Sequence, residues 1–310
     1  MPCVPRAGYR TSSAPEPTLP IATDNLRAAL LMAAASTLFT LNDALVKVLT
    51  GGGAQIGLIL AVRGVFMVLI YLIVFRSQLP IWSTRQVLEP TNLVRALFEA
   101  TLSWAMFTSL MLLPIATVTA LYFTTPLLAT ALGAAVLGER VGIWRWSAVV
   151  VGFIGILVAI RPGSTAFEPA LLLPLLAALL SAGRDLVTRR LPHDLPSGVV
   201  AVSTASAMMG SGFVSLPAAP WSNVSLALVA VLGGSALITA LALFAYIRAS
   251  RLGEISFLAP IRYLSILTAM ILGLLIWQDV PDRWDLAGTL LIVASGCLIF
   301  YRERVRMQAA

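Results

Sequence analysis

Long runs of uninterrupted apolar residues, separated by short clusters of glycine, proline and charge, set the pattern of this chain. The runs fall at about 26–49, 56–75, 94–113, 117–137, 146–160, 170–188, 198–216, 224–247, 255–276 and 285–301. Most last about 17–24 residues, the length at which a helix crosses roughly 30 Å of hydrocarbon. The run 146–160 is short and is expected to extend into its flanking loop. Gly51–Gly53, Pro80, Pro114, Gly138–Arg140, Pro162–Gly163, Pro192–Pro196, Pro217–Pro220, Gly253 and Pro281 mark breaks. The runs are continuous rather than alternating, which argues against a β-barrel. Residues 1–25, rich in Pro, Ser and Thr, read as a disordered tail. The apolar run that follows is too long for the core of a signal peptide. The pattern predicts an all-α integral membrane protein of ten transmembrane helices embedded in a lipid bilayer.

Composition strengthens this picture. Of 310 residues, 59% are hydrophobic and only 11% are charged, against about 25% charged in an ordinary soluble domain. The formal charge of +7 would suggest nucleic acid in a soluble protein. In a membrane protein, basic residues mark the cytoplasmic loops, so nucleic acid is not an expected partner. With the N-terminus inside and ten spans, the inner segments hold Arg6, Arg10, Arg27, Arg76, Arg85, Arg95, Arg140, Arg145, Arg184, Arg189, Arg190, Arg248, Arg251, Arg302, Arg304 and Arg306. That is 16 of the 21 basic residues. The outer loops hold only Arg161 and Arg283, and Lys47, Arg63 and Arg262 fall within helices. The bias predicts both termini in the cytoplasm of an inner (plasma) membrane, with residues 304–310 as a basic tail.

Two cysteines, Cys3 and Cys297, and one histidine, His193, give neither a disulfide framework nor metal-ligand spacing. No metal or cofactor is expected. No phosphate-binding GxxxxGK[ST] motif occurs, so this chain has no ATP-driven mechanism of its own by motif. HExxH and GxSxG patterns are also missing. A membrane enzyme would need clustered acids or histidines at one face, and the chain offers only Asp279, Asp282 and Asp285 in a short loop. It is read as a non-enzyme. A channel would need a continuous polar pore, usually supplied by oligomers.

Shifting the chain by 140 residues lays one half on the other without a gap. Leu132-Gly133 falls on Leu272-Gly273, Glu139 on Asp279, Trp144 on Trp284, Trp104 on Phe244 and Phe123 on Tyr263. A shift of 142 also places Asp43-x-x-x-Lys47 on Asp185-x-x-x-Arg189. Each repeat then holds five helices, one at 26–161 and the other at 170–303. Because five is odd, the second repeat enters the membrane upside down. Inverted repeats that rock about a central site are a recurring device of secondary transporters. The competing reading is duplication that merely built a large bundle.

The sequence Leu113-Pro114-Ile115-Ala116, then Pro126, Leu137-Gly138-Glu139-Arg140 and Gly152-x-x-Gly155, resembles the EamA repeat of the drug/metabolite transporter superfamily. A weaker second copy reads Gly253-Glu254-Ile255-Ser256, Ala259-Pro260, Tyr263, Gly273, Asp279 and Gly288, with Gln278-Asp279-Val280-Pro281 where the family has a Gly-Glu-Arg-like turn. The resemblance covers residues 26–303. It implies ten helices in two inverted repeats, in a monomer or homodimer that carries a small-molecule substrate. That substrate would be an amino acid, a nucleoside-like compound, a vitamin or a drug. The stretch Phe39-Thr40-Leu41-Asn42-Asp43-Ala44-Leu45-x-Lys47 is similar to that of importers of riboflavin or S-adenosylmethionine. Riboflavin uptake, with amino-acid or drug export as the alternative, is the expectation the resemblance implies.

Charge inside a bilayer costs a few kcal/mol or more and faces a partner or a wet cavity. Arg63, about 10 Å deep at 1.5 Å per residue, is a candidate to hold an anionic or hydrogen-bond-rich substrate group. A structural pair with Asp43 is the alternative. Arg262 follows Pro260, whose ring frees a carbonyl one turn earlier. It therefore binds substrate or satisfies that carbonyl. Asp43 and Lys47 share a helix face, either as coupling residues or as a neutralising pair with Lys47 reaching the surface. Glu99 is expected to pair with Arg95, four residues before it. Glu139 and Asp279 read as loop caps. Trp104, Phe107, Tyr122, Phe123, Phe244, Tyr246 and Tyr263 supply stacking surface, or simply pack. Tyr122 and Arg262 occupy repeat-related positions, and with Arg63, Trp104 and Tyr263 they form the expected substrate site.

Overall fold

The computed structural model describes residues 22–77, 84–138, 142–162, 168–192, 194–215, 225–252 and 255–308. Cys3, Glu139, Arg140, His193, Gly253 and Glu254 lie outside the described residues. Among the described residues there is no strand and no cluster of metal-binding side chains.

The apolar runs fold as helices because lipid leaves backbone polar groups no partner outside their own segment. They are α1 (Ala22–Gly51), α2 (Ile56–Val74), a short α3 (Thr84–Val87), α4 (Pro90–Leu112), α5 (Ile115–Tyr122), α6 (Thr125–Leu137) and α7 (Ile143–Ile160). The order continues with α8 (Leu172–Thr188), α9 (Ser197–Ser215), α10 (Leu226–Leu252), α11 (Ile255–Arg262), α12 (Leu264–Leu272) and α13 (Arg283–Gln308). Seven segments among the described residues are long and apolar enough to cross a membrane, with a shorter apolar helix at Trp146–Ile160. α1 starts at Ala22, inside the expected tail, and α13 continues to Gln308, into the expected basic tail.

Two helices are broken at the same register. Backbone turns at Phe123–Thr124 separate α5 from α6, and one at Tyr263 separates α11 from α12. The shift of 140 maps the first break onto the second. A proline stands near each: Pro126 in the first turn of α6 and Pro260 inside α11. Each removes a backbone donor and crowds the preceding turn. Left-handed residues also recur at equivalent ends, Gly138 (φ 66°) after α6 and Gln278 (φ 59°) after the wide π-turn Gly273–Trp277 that prolongs α12.

Packing follows the same shift, which carries α1 onto α8, α2 onto α9, α4 onto α10 and α7 onto α13. α2 packs on its own equivalent α9, and α7 on its equivalent α13. The remaining main pairings come as related couples: α1 on α10 with α4 on α8, and α1 on α12 with α6 on α8. Glycines let the self-paired seams close, as small residues do between membrane helices. A Cβ on Gly64 of α2 would lie 2.6 Å from the Cβ of Met209 in α9. One on Gly288 of α13 would lie 2.7 Å from the Cβ of Ala159 in α7.

Candidate substrate-binding site

Arg63 is set seven residues past the start of α2, on the stripe that faces the bundle. Only 6% of it is exposed. Its Nη2 donates to Thr239 Oγ1 of α10 at 2.8 Å, and its guanidinium lies 5.4 Å from the ring centre of Phe107 in α4. Its Nε is buried with no hydrogen-bond acceptor. One turn earlier on α10, the Ser235 hydroxyl donates to Asn42 Oδ1 of α1 at 2.6 Å. Thr239 in turn donates to the Ser235 carbonyl. α10 therefore fixes α1 and α2 through consecutive turns of one face. Asp43, beside Asn42, lies within electrostatic reach of Arg63. Among the described residues the two form no direct ion pair.

Trp104 lies one turn before Phe107 on α4, and its indole N–H donates to Ser211 Oγ of α9 at 3.2 Å. Its repeat partner Phe244 is instead 59% exposed on the outer surface of α10 with Arg248 against it. Phe244 therefore belongs to the periphery and not to the expected aromatic cluster.

At the two helix breaks, Phe123 and Tyr263 stack with ring centres 4.9 Å apart, so these repeat-related residues touch each other. The Tyr263 hydroxyl is buried without a partner and packs against Gly296, where any Cβ would collide with it. Arg262 stacks over Tyr246 at 5.6 Å. The Tyr122 hydroxyl bonds Ser181 Oγ of α8 at 3.1 Å. Arg63 and Arg262 thus belong to separate clusters, one on α2, α4 and α10 and the other at the helix breaks.

Two expected pairings are corrected. Lys47 does not neutralise Asp43. Its ammonium donates to the Leu113 and Leu110 carbonyls, at 2.6 Å and 3.2 Å, and lies 5.3 Å from the Trp277 ring centre. Those carbonyls are left unpaired where α4 ends, and a cation there is stabilised by the helix dipole. Glu99 pairs not with Arg95 but with Arg184 of α8 at 2.8 Å. Arg95 donates to Thr188 and Thr204 instead. Arg184 also binds Asp185 and Ser181, so Asp185 is engaged by its neighbour. Sequence position alone assigned Arg184 to an inner loop. The 142-residue shift, which lays Asn42 on Arg184, was the signal that both occupy one place in their repeats. Thr239, Ser235, Ser181 and Ser211 carry no such signal, because isolated hydroxyls on apolar helices are common.

A bundle of apolar helices, two of them interrupted at related points, with charged side chains held inside, defines the class of polytopic membrane carriers. The chain belongs to the EamA-like transporter family, whose profile matches residues 26–161 and 168–301. It is 32% identical to an S-adenosylmethionine uptake transporter of Rickettsia conorii over 217 residues, 68% of this chain and 71% of that protein. It is 31% identical to a riboflavin transporter of Vibrio cholerae, covering 58% and 60% of the two chains. It is 27% identical to the pseudopaline exporter CntI of Pseudomonas aeruginosa, covering 91% and 98%. A solved crystal structure overlays with a TM-score of 0.57 at 16% identity, over 89% of this chain and 96% of that one. That overlay is a likeness of fold.

Proposed function

We propose that this chain takes up a small organic metabolite across the inner membrane by alternating access. Ten spans would form two inverted five-helix repeats, 26–161 and 170–303, with both termini cytoplasmic. The two-fold pattern of packing and the matching helix breaks support that arrangement, and so does the arginine bias of the alternate loops. The reading is carried by one observation: Arg63 is buried between α2, α4 and α10 with a guanidinium nitrogen left without an acceptor. Burying an arginine in the span of a membrane costs a few kcal/mol, and a carrier recovers that cost when cargo binds.

Arg63 and Trp104 line one side of the proposed path, and Tyr122, Arg262 and Tyr263 line the other at the helix breaks. Asp43 is the proposed coupling residue, while Lys47 serves the end of α4. The relatives named for S-adenosylmethionine uptake and riboflavin transport support import of a nucleoside-like, vitamin or amino-acid-like compound. Export is the second reading, favoured by the pseudopaline exporter, which aligns over 91% of this chain.

The test is flux into vesicles of labelled riboflavin, S-adenosylmethionine and amino acids, with and without a pH gradient. Saturable flux is expected, and it should fall at least about tenfold in Arg63→Ala and Arg262→Ala at equal membrane expression. Full flux in both variants removes the arginines from the path. Conductance without saturation would make the protein a channel.

A further inference from the structure

A groove of about 570 Å³ runs along the seam between α4 and α9. On α9 its wall includes the short side chains Ser203, Ser206, Ala207 and Ser211. The 140-residue shift lays these four on Arg63, Phe66, Met67 and Tyr71 of α2. The same shift carries the packed pair α2 and α10 onto the packed pair α9 and α4. In the first repeat the long side chains take up the space at this level. Phe66 lies against Gly233 of α10, where a Cβ would sit 3.3 Å from its ring. Arg63 bonds Thr239 of α10, and Met67 and Tyr71 pack into the main core. In the second repeat the short replacements leave a groove. One seam of the duplicated fold is thus closed by its own side chains, and its equivalent is open.

The rim of the groove includes Leu93 and Leu97 of α4, both exposed on the bundle. For an apolar bundle the surrounding medium is lipid. The hydroxyls of Ser203 and Ser211 already accept Asn92 Nδ2 and the Trp104 indole N–H, so the wall offers width more than polar partners. Along α9 the groove runs from Val199 to Ser211, about 18 Å at 1.5 Å per residue. That is the depth of one leaflet of a hydrocarbon core about 30 Å thick. Unfilled space between packed helices forfeits dispersion contacts on every wall. Val87 of α3 lines the end by the start of α4, where its carbonyl accepts Asn92 Nδ2. Arg85, two residues before Val87, is exposed. The nearby Glu89 carboxylate is engaged by the Asn92 amide. Basic residues beside a cleft between helices at the cytoplasmic face favour anionic headgroups.

We propose that the groove between α4 and α9 holds one acyl chain of an anionic phospholipid of the inner leaflet, with its phosphate beside Arg85. Such binding requires the chain to lie in a bilayer in the proposed orientation. It stands whether or not cargo is carried.

The test transplants the closed seam onto the open one. Full-length wild type, Ser206→Phe/Ala207→Met and Arg85→Gln are purified in detergent. Each is read by native mass spectrometry and thermal unfolding, with phosphatidylglycerol or phosphatidylcholine of the same acyl chains added. Wild type should retain one more phospholipid than the filled double variant and gain more stability from phosphatidylglycerol than from phosphatidylcholine. The double variant should bind lipid at least about tenfold more weakly, since the chain loses its buried contacts. Without lipid it should unfold no lower than wild type. Arg85→Gln should retain the lipid but respond to both headgroups alike. If the double variant does not fold, Ser206→Leu alone is read in the same way. Equal lipid retention by wild type and the filled variant would overturn the site, as would equal stabilisation of wild type by the two lipids. A dimer mass in wild type that the filled variant loses would give the groove to a second copy and overturn it as well.

Discussion

Lys47 shows how a charge on a membrane helix is held by backbone carbonyls rather than by the acid one turn before it. Helix α4 ends at Leu112, and the carbonyls of Leu110 and Leu113 would face low dielectric without a donor. The Lys47 ammonium reaches both and stacks beside Trp277. Lys47→Met should therefore destabilise the protein by about 1–3 kcal/mol, the cost of leaving such acceptors unpaired. Thermal unfolding in detergent measures this, with flux per folded molecule unchanged. Flux that collapses in a stable Lys47→Met protein would instead make Lys47 a coupling residue. At the other half-site the closed pair of Glu99 and Arg184 joins α4 to α8, as Ser235 and Asn42 join α10 to α1. These are repeat-related crossings built from different chemistry.

At the scale of elements, α6 and the π-turn both end on a left-handed residue at the equivalent position, Gly138 in one and Gln278 in the other. The second copy departs from the family's Gly-Glu-Arg-like turn in sequence while keeping the left-handed conformation at its first position. A side chain in that conformation costs about 1 kcal/mol or more relative to glycine. Gln278→Gly should raise the melting temperature, and an unchanged or lower value would show that the Gln278 side chain contributes more than its strain. The start of α13 is capped by Asp282, whose carboxylate accepts the backbone N–H groups of Asp285 and Trp284 and meets Arg161 at 2.8 Å. The Asp285 amide foremost, with the Trp284 amide and Arg161 adding to it, holds the Asp282 carboxyl below the usual aspartate range. Its contribution is thus present above the ordinary aspartate range and lost as pH falls through the depressed value. Asp282→Ala should lower thermal stability at pH 7, and the deficit should shrink as pH falls below the ordinary aspartate value of 3.8. A deficit independent of pH would mean that the cap acts through shape alone.

Elements were the most legible level of this sequence. Apolar length and glycine or proline breaks mark where helices run, because lipid permits little else. The partners of the charges were not legible. Spacing along one helix suggested Asp43 with Lys47 and Glu99 with Arg95, but in a tightly packed bundle the adjacent helix is as near as the next turn. Arg63 stood out because an arginine in an apolar run is costly anywhere. Thr239 did not, since a threonine there is ordinary until Arg63 meets it.

For the whole molecule, the repeat makes a geometric demand. Helices that match under one shift pack as related couples, and the helix breaks meet where Phe123 stacks on Tyr263. If the halves lie antiparallel in the bilayer, the loop before α7 and the loop before α13 emerge on opposite sides. The decisive measurement is labelling of single cysteines at Gly142 and Val280, in a background lacking Cys3 and Cys297, with a membrane-impermeant maleimide on intact cells. Val280→Cys should label from outside and Gly142→Cys only after the cells are opened. Labelling of both from the same side would contradict the antiparallel halves and the cargo path between them.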